Sequence, residues 1–216
     1  VIFMKFKGLI FDMDGLLLDT EKLYVRFWTE AARFYGYPME FEHALSIRSL
    51  NRQFTTEKLA GYFGSFDYVP VHDKRVELMD AYIKEHGVEA KKGAKELLEF
   101  AKQNGVKIAL ATSSPFERAK EHLESVGLFK YFDEFACGSM VKNSKPKPDI
   151  YLLACEKLNL KPEECIALED SPNGVISAST AGCATIMVPD LDKPTEDLIP
   201  LLYSVCDDLS CVIPLL

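Results

Sequence analysis

Asp12 and Asp14 stand two residues apart, directly after the apolar run Leu9-Ile10-Phe11. A strand that ends in carboxylates puts negative charge at the carboxyl edge of a sheet, where open α/β folds bind ligands. Alternate strand residues share a face, so both side chains begin on one side of the chain. Gly15 then lets the backbone turn sharply. Two carboxylates this close repel each other, and a divalent cation relieves that repulsion. Taken alone, the segment also reads as a solvated acidic turn. Three more polar clusters accompany it: Thr112-Ser113-Ser114, Lys145, and Glu169-Asp170. Each has a plain structural reading, as a helix cap, a solvated lysine and a favourable helix-dipole pair. Together they offer three carboxylates for a hard cation, a fourth for proton transfer, a hydroxyl, and a positive charge for an anion.

These groups need elements to position them. Lys107–Ala111, Cys165–Leu168 and Ala184–Val188 are short apolar runs that read as buried strands. Ser114-Pro115-Phe116-Glu117 reads as a capping box with Pro at the first helical position. The helix after it carries Ala119, Leu123 and Val126 and stops at Gly127. Pro148–Leu158 reads as a helix with Ile150, Leu153, Ala154 and Leu158 inward. Ser171-Pro172 opens another that ends near Gly182, and Ala94, Leu97, Leu98 and Ala101 mark a fourth. Strands alternating with helices through short turns predict an α/β fold: a Rossmann-like parallel sheet with helices on both faces. The stretch from Thr20 to His86 shows no strand pattern. It carries helical spacing over Glu21–Tyr35 (Leu23, Phe27, Ala31, Phe34), Thr56–Tyr62 and Val76–Ile83, broken by Pro38, Gly61, Gly64 and Pro70. The expected organisation is a catalytic core, 1–16 with 87–216, and a small inserted all-helical cap, 17–86.

The 216 residues suit one large domain, or one domain with a smaller insert. At 48% hydrophobic residues the chain can bury a core. The formal net charge of -8, without a basic tract, disfavours nucleic acid and anionic membrane as partners. No run approaches the roughly 20 apolar residues of a membrane helix. The six cysteines form no C-x-x-C pair and read as small buried thiols, so a cytoplasmic location is expected. The first five residues lack signal-peptide character, and Met4 reads as the natural start. A monomer is the default expectation.

Four ordered segments resemble the motifs of the haloacid dehalogenase superfamily, in the branch of β-phosphoglucomutase and small sugar-phosphate phosphatases. They are Asp12-Met13-Asp14-Gly15 with Asp19-Thr20, Ala111-Thr112-Ser113-Ser114, Ser144 to Asp149, and Leu168-Glu169-Asp170-Ser171. The resemblance implies that Asp12 is the nucleophile, forming an aspartyl-phosphate. It implies that Asp14 protonates the leaving alkoxide and then activates water. Mg²⁺ is implied on the Asp12 carboxylate, the Asp14 backbone carbonyl, Glu169 and Asp170. Thr112 and the Ser113 backbone N–H are implied to hold phosphoryl oxygens, and Lys145 to neutralise them. Asp19 and Thr20 read as hinge and capping residues. The residue before Pro146 is restricted to extended backbone, which helps hold the Lys145 loop.

The expected activity is Mg²⁺-dependent hydrolysis of a small, sugar-like phosphomonoester, with a cap that opens and closes. Asp14 disfavours a dehalogenase, because a departing halide needs no proton. A phosphosugar mutase is the enzymatic alternative. Where β-phosphoglucomutase has a His four residues after the Asp-Thr pair, this chain has Tyr24, and its cap loop lacks the usual Gly in Ser46-Ile47-Arg48-Ser49-Leu50. Arg48 and Arg52 are weak candidates for substrate contacts, with a solvated surface role as the favoured reading. A non-catalytic phosphate-ligand-binding protein is the alternative of another class.

Overall fold

The computed structural model describes residues 5–48, 50 and 52–216. Met4, Ser49 and Asn51 lie outside the described residues. In chain order the main elements are β1 (Gly8–Phe11), α1 (Glu21–Phe34), α2 (Phe41–Leu45), α3 (Arg52–Phe63), α4 (Tyr68–His86) and α5 (Ala94–Gln103). They continue with β2 (Lys107–Thr112), α6 (Phe116–Ser125), β3 (Glu134–Cys137), α7 (Asp149–Leu158), β4 (Cys165–Glu169), α8 (Pro172–Ala181), β5 (Ala184–Met187) and β6 (Ser204–Val205).

The chain divides into two compact units, one running up to Asp19 and resuming at Glu89, the other Thr20–Val88. The sequence had placed the insert at 17–86. Leu17 and Leu18 are fully buried, and the Leu17 carbonyl accepts from Lys91 N at 2.8 Å. Asp19 N donates to the Glu89 carbonyl at 2.9 Å.

The first unit is built on a six-stranded parallel sheet ordered β3-β2-β1-β4-β5-β6. β1 and β4 are buried at every residue, as expected of strands covered on both faces. The order reverses direction between β1 and β4. Right-handed crossovers therefore send the connections to β2 and β3 to one face, and those to β4 and β5 to the other. The crevice at such a reversal is where open α/β sheets take ligands. On the α7 and α8 face, Ile150, Tyr151, Ala154, Cys155, Leu158, Ala178 and Ala181 pack with Ile10, Ala109, Ala111 and Ala167.

Several expectations change. β3 and the two-residue edge strand β6 were not anticipated, because neither is a continuous apolar run. Gly61 and Pro70 do not break helices. Gly61 lies inside α3, and Pro70 sits in the first turn of α4, where its missing N–H costs nothing. Leu153 and Val126 are only partly buried, while Tyr151 and His122 take inward positions on their helices. Five cysteines are buried, and Cys211 is exposed. Among the described residues, no helix is long and apolar enough to cross a membrane.

The helical unit shows no strand among its described residues. Leu23, Phe27 and Met79 form one core, backed by Leu78, Tyr82 and Ile83. Phe34, expected inward, is exposed, with Lys74 over its ring. Trp28 is buried among Tyr24, Phe66, Tyr68 and His72. Arg48 departs from the surface reading: it is buried and pairs with Glu21 at 2.6 Å. Arg52 is exposed and lies over the Tyr68 ring.

Gly93 caps α5 in the left-handed region, at φ 81°. A Cβ there would overlap the backbone nitrogen of Ser210. Gly93→Ala is expected to cost about 1–3 kcal/mol, read as a fall in the thermal midpoint. An unchanged midpoint would show that the Ser210 turn yields freely.

Candidate active site

Sheet register sets the site. Phe11 pairs with Leu168 of β4 and Leu110 of β2. One step further, Asp12 comes level with Glu169 at the reversal of strand order. The Asp12 backbone N–H donates to the Leu168 carbonyl at 3.1 Å and fixes that alignment. Glu169 is 0% exposed, Asp170 2%, Lys145 6% and Asp12 8%, so the cluster is nearly dry.

Lys145 reaches this cluster from the loop before α7. Its Nζ donates to Asp12 Oδ1 and to Glu169 Oε1, each at 2.5 Å, and to the Ala111 carbonyl at 3.1 Å. The Lys145–Pro146 peptide is cis. Burial pushes the Asp12 carboxyl well above the usual carboxylate range; Lys145 opposes this and Glu169 adds to it. Burial works against the charge of Lys145, but the Asp12 and Glu169 carboxylates outweigh it and hold its pKa above the ordinary value. The ammonium is thus held charged between two carboxylates.

Asp14 follows at the turn. Gly15 adopts φ 86°, and its N–H donates to the Leu18 carbonyl at 2.9 Å. The Asp14 carboxylate does not join the Asp12 cluster but accepts from Ser114 Oγ at 3.1 Å. Ser114 N in turn donates to Thr112 Oγ1 at 3.1 Å. This corrects the expected capping box. Pro115 is the residue preceding α6, and no side chain caps that helix. Ser114 instead links the ends of β1 and β2. Ser113 is exposed at the same strand end, and a Cβ on Gly138 would overlap its carbonyl.

Tyr151 and Gly174 escaped the sequence reading, and Ser171 was expected only as a helix cap at the end of its motif. Tyr151 OH donates to Glu169 Oε1 at 2.6 Å, and its ring lies 5.2 Å below Lys145 Nζ. Ser171 Oγ donates to Glu169 Oε2 at 3.2 Å while accepting from Gly174 N at 3.3 Å. It therefore caps α8 as expected and also holds the carboxylate. Gly174 approaches so closely that a Cβ would overlap the Glu169 carboxyl group. The available signal for Tyr151 was a polar-tipped residue on the apolar face of α7.

Asp12, Glu169 and Asp170 each offer a carboxylate oxygen, all within 4.8 Å of one another. Three buried hard-oxygen donors fit a hard divalent cation. Repulsion among them is relieved when a cation binds.

In the helical unit, Arg75 is buried, with its guanidinium 4.8 Å from the Tyr24 ring and 5.8 Å from that of Trp28. Burial raises the Tyr24 phenol pKa, with Arg75 opposing. A phenol held neutral does not exchange a proton near neutral pH as an imidazole does.

Comparison with known proteins gives three kinds of likeness. A family model of haloacid dehalogenase-like hydrolases matches residues 6–182. The phosphorylated carbohydrates phosphatase of Thermotoga maritima is 38% identical over 185 residues, covering 83% of each chain. Hexitol phosphatase A of Escherichia coli is 34% identical, over 96% of this chain and 94% of its own. The crystal structure of CbbY from Rhodobacter sphaeroides in complex with phosphate superposes with a TM-score of 0.78, at 26% identity over 96% of each chain.

Proposed function

Because the chain belongs to the haloacid dehalogenase-like hydrolase family, we propose that it is a phosphatase of a small, sugar-like phosphomonoester. The observation that carries this reading is the buried Asp12 carboxylate, 2.5 Å from the Lys145 ammonium and grouped with Glu169 and Asp170. The phosphorylated carbohydrates phosphatase and the hexitol phosphatase among its relatives support a sugar-like ester.

In this reading Asp12 Oδ attacks phosphorus as the ester oxygen leaves with the electrons of the broken bond. Asp14 gives that oxygen its proton. The product alcohol departs, and the phosphoryl group remains on Asp12. Asp14, now a base, takes a proton from water, whose oxygen attacks phosphorus and frees Asp12 and inorganic phosphate. Thr112 and the Ser113 N–H hold phosphoryl oxygens. Lys145 offsets the negative charge spread over them in the transition state. Asp12, the Asp14 carbonyl, Glu169 and Asp170 would hold Mg²⁺, which would supply further positive charge against the repulsion between carboxylate and phosphate. Choice of ester is assigned to residues 20–88 as a cap. Tyr24, a phenol where the mutase has an imidazole, supports hydrolysis over isomerisation.

A panel of phosphorylated sugars and polyols with Mg²⁺, scored for free phosphate and for isomerised ester, tests the reading. Phosphate release is expected from at least one member. A chelator should lower it about 100-fold or more, with recovery on adding Mg²⁺. Isomerised product without phosphate would identify a mutase, and no turnover of any ester would favour a binding protein.

A further inference from the structure

We propose that Tyr151 is a positioning residue, whose hydroxyl aims Glu169 and whose ring seats Lys145 so that the acidic cluster is preformed for a divalent cation. The proposal rests on the phosphatase reading above and concerns the same site. Glu169 is wholly buried, so no water can replace a lost donor. Its Oε1 accepts from both Lys145 and Tyr151, and its Oε2 from Ser171.

The two donors on Oε1 differ in kind. Lys145 orients the carboxylate but cancels charge. The Tyr151 hydroxyl orients it as a neutral donor, leaving the negative charge available to a cation. A phenol is neutral near neutral pH, so its hydroxyl remains a donor. The ring is buried in the core cluster that joins α7 and α8 to the sheet. One side chain on α7 therefore couples the helix packing to both charges of the site. Partners of this kind, behind a metal ligand, typically change cation affinity about 10–100-fold when removed.

Tyr151→Phe keeps the ring, its packing and its contact with Lys145, and deletes only the donor. Magnesium chloride titrated calorimetrically into the ester-free variant should bind about 10-fold or more weakly than into the native chain. Turnover should need correspondingly more Mg²⁺ for half-saturation, and excess Mg²⁺ should recover most of the loss. A merely structural role predicts a lower thermal midpoint in chelator with native Mg²⁺ affinity, and that result would overturn the proposal. Should the variant not fold, the native protein supplies the measurement. Mg²⁺ should produce a near-ultraviolet tyrosine difference spectrum that saturates with the calorimetric affinity; its absence would overturn the proposal equally. A native chain that binds Mg²⁺ yet hydrolyses no ester would overturn the functional reading alone, because the calorimetric comparison stands without turnover.

Discussion

Asp12→Asn is expected to lower turnover on the order of 10⁴-fold or more, while leaving a folded protein at least as heat-stable as the native one in chelator. The loss follows from chemistry. An amide lacks the anionic oxygen needed to attack phosphorus, and no other carboxylate shares the Asp12 position level with Glu169. Asp170 and Glu169 remain, so a cation still finds two of its three carboxylates.

The stability half follows from electrostatics. Burial holds the Asp12 carboxyl well above its ordinary range. The native state thus keeps this proton to higher pH than the unfolded chain does. The stability it contributes is present below the ordinary carboxylate pKa and is lost as pH rises through the raised folded value. Above the ordinary carboxylate range the group is therefore a burden on the fold, which an amide does not carry. Breaking a buried ion pair usually costs several kcal/mol because a charge is left alone. Here Lys145 keeps Glu169 at 2.5 Å, so it is not left alone. Thermal denaturation in chelator, beside phosphate release with Mg²⁺, measures both halves. A fully active Asp12→Asn would remove the covalent route, and an unfolded one would show that Asp12 is needed for the fold.

The sheet and the acidic strand ends were legible because both rest on local pattern. Apolar runs flanked by turn residues announce β1, β2, β4 and β5, and parallel register then brings Asp12 beside Glu169 without further information. The weaker strands were hidden for the same reason. Glu134 and Phe135 of β3 are only half buried, and β6 is an edge of two residues. Contacts formed across the fold left no local trace. Ser114 satisfies the pattern of a capping residue, yet its hydroxyl meets Asp14, which lies 100 positions earlier in the chain. Tyr151 looks like a helix-core aromatic until Glu169 is found at its hydroxyl. Arg48 reads as a surface charge until Glu21 is seen beside it.

Gly174 is the sharpest case of such hidden constraint, and Gly174→Ala is expected to lower both stability and turnover. On helix propensity alone the substitution should help, since Ala is favoured by about 1 kcal/mol in a helix interior. Gly174 sits in the first turn of α8, however, and its added Cβ would overlap the Glu169 carboxyl group. The carboxylate has nowhere to retreat: Lys145 and Tyr151 hold one oxygen and Ser171 the other. The glycine backbone is held as well, by its N–H on Ser171 Oγ at 3.3 Å. Overpacking of this kind costs about 1–3 kcal/mol, which cancels or exceeds the gain in propensity. Glu169 or the α8 turn must move, and displacement of about 1 Å in a reacting site can cost about 100-fold. Turnover at limiting Mg²⁺ should therefore fall about 100-fold or more. Excess Mg²⁺ should restore Tyr151→Phe, where Glu169 stays in place with one donor fewer, but not Gly174→Ala, where the ligand itself is displaced. Native cation affinity in Gly174→Ala would mean that Glu169 is dispensable to the cation, and the acidic cluster would then have to be reassigned to Asp12 and Asp170.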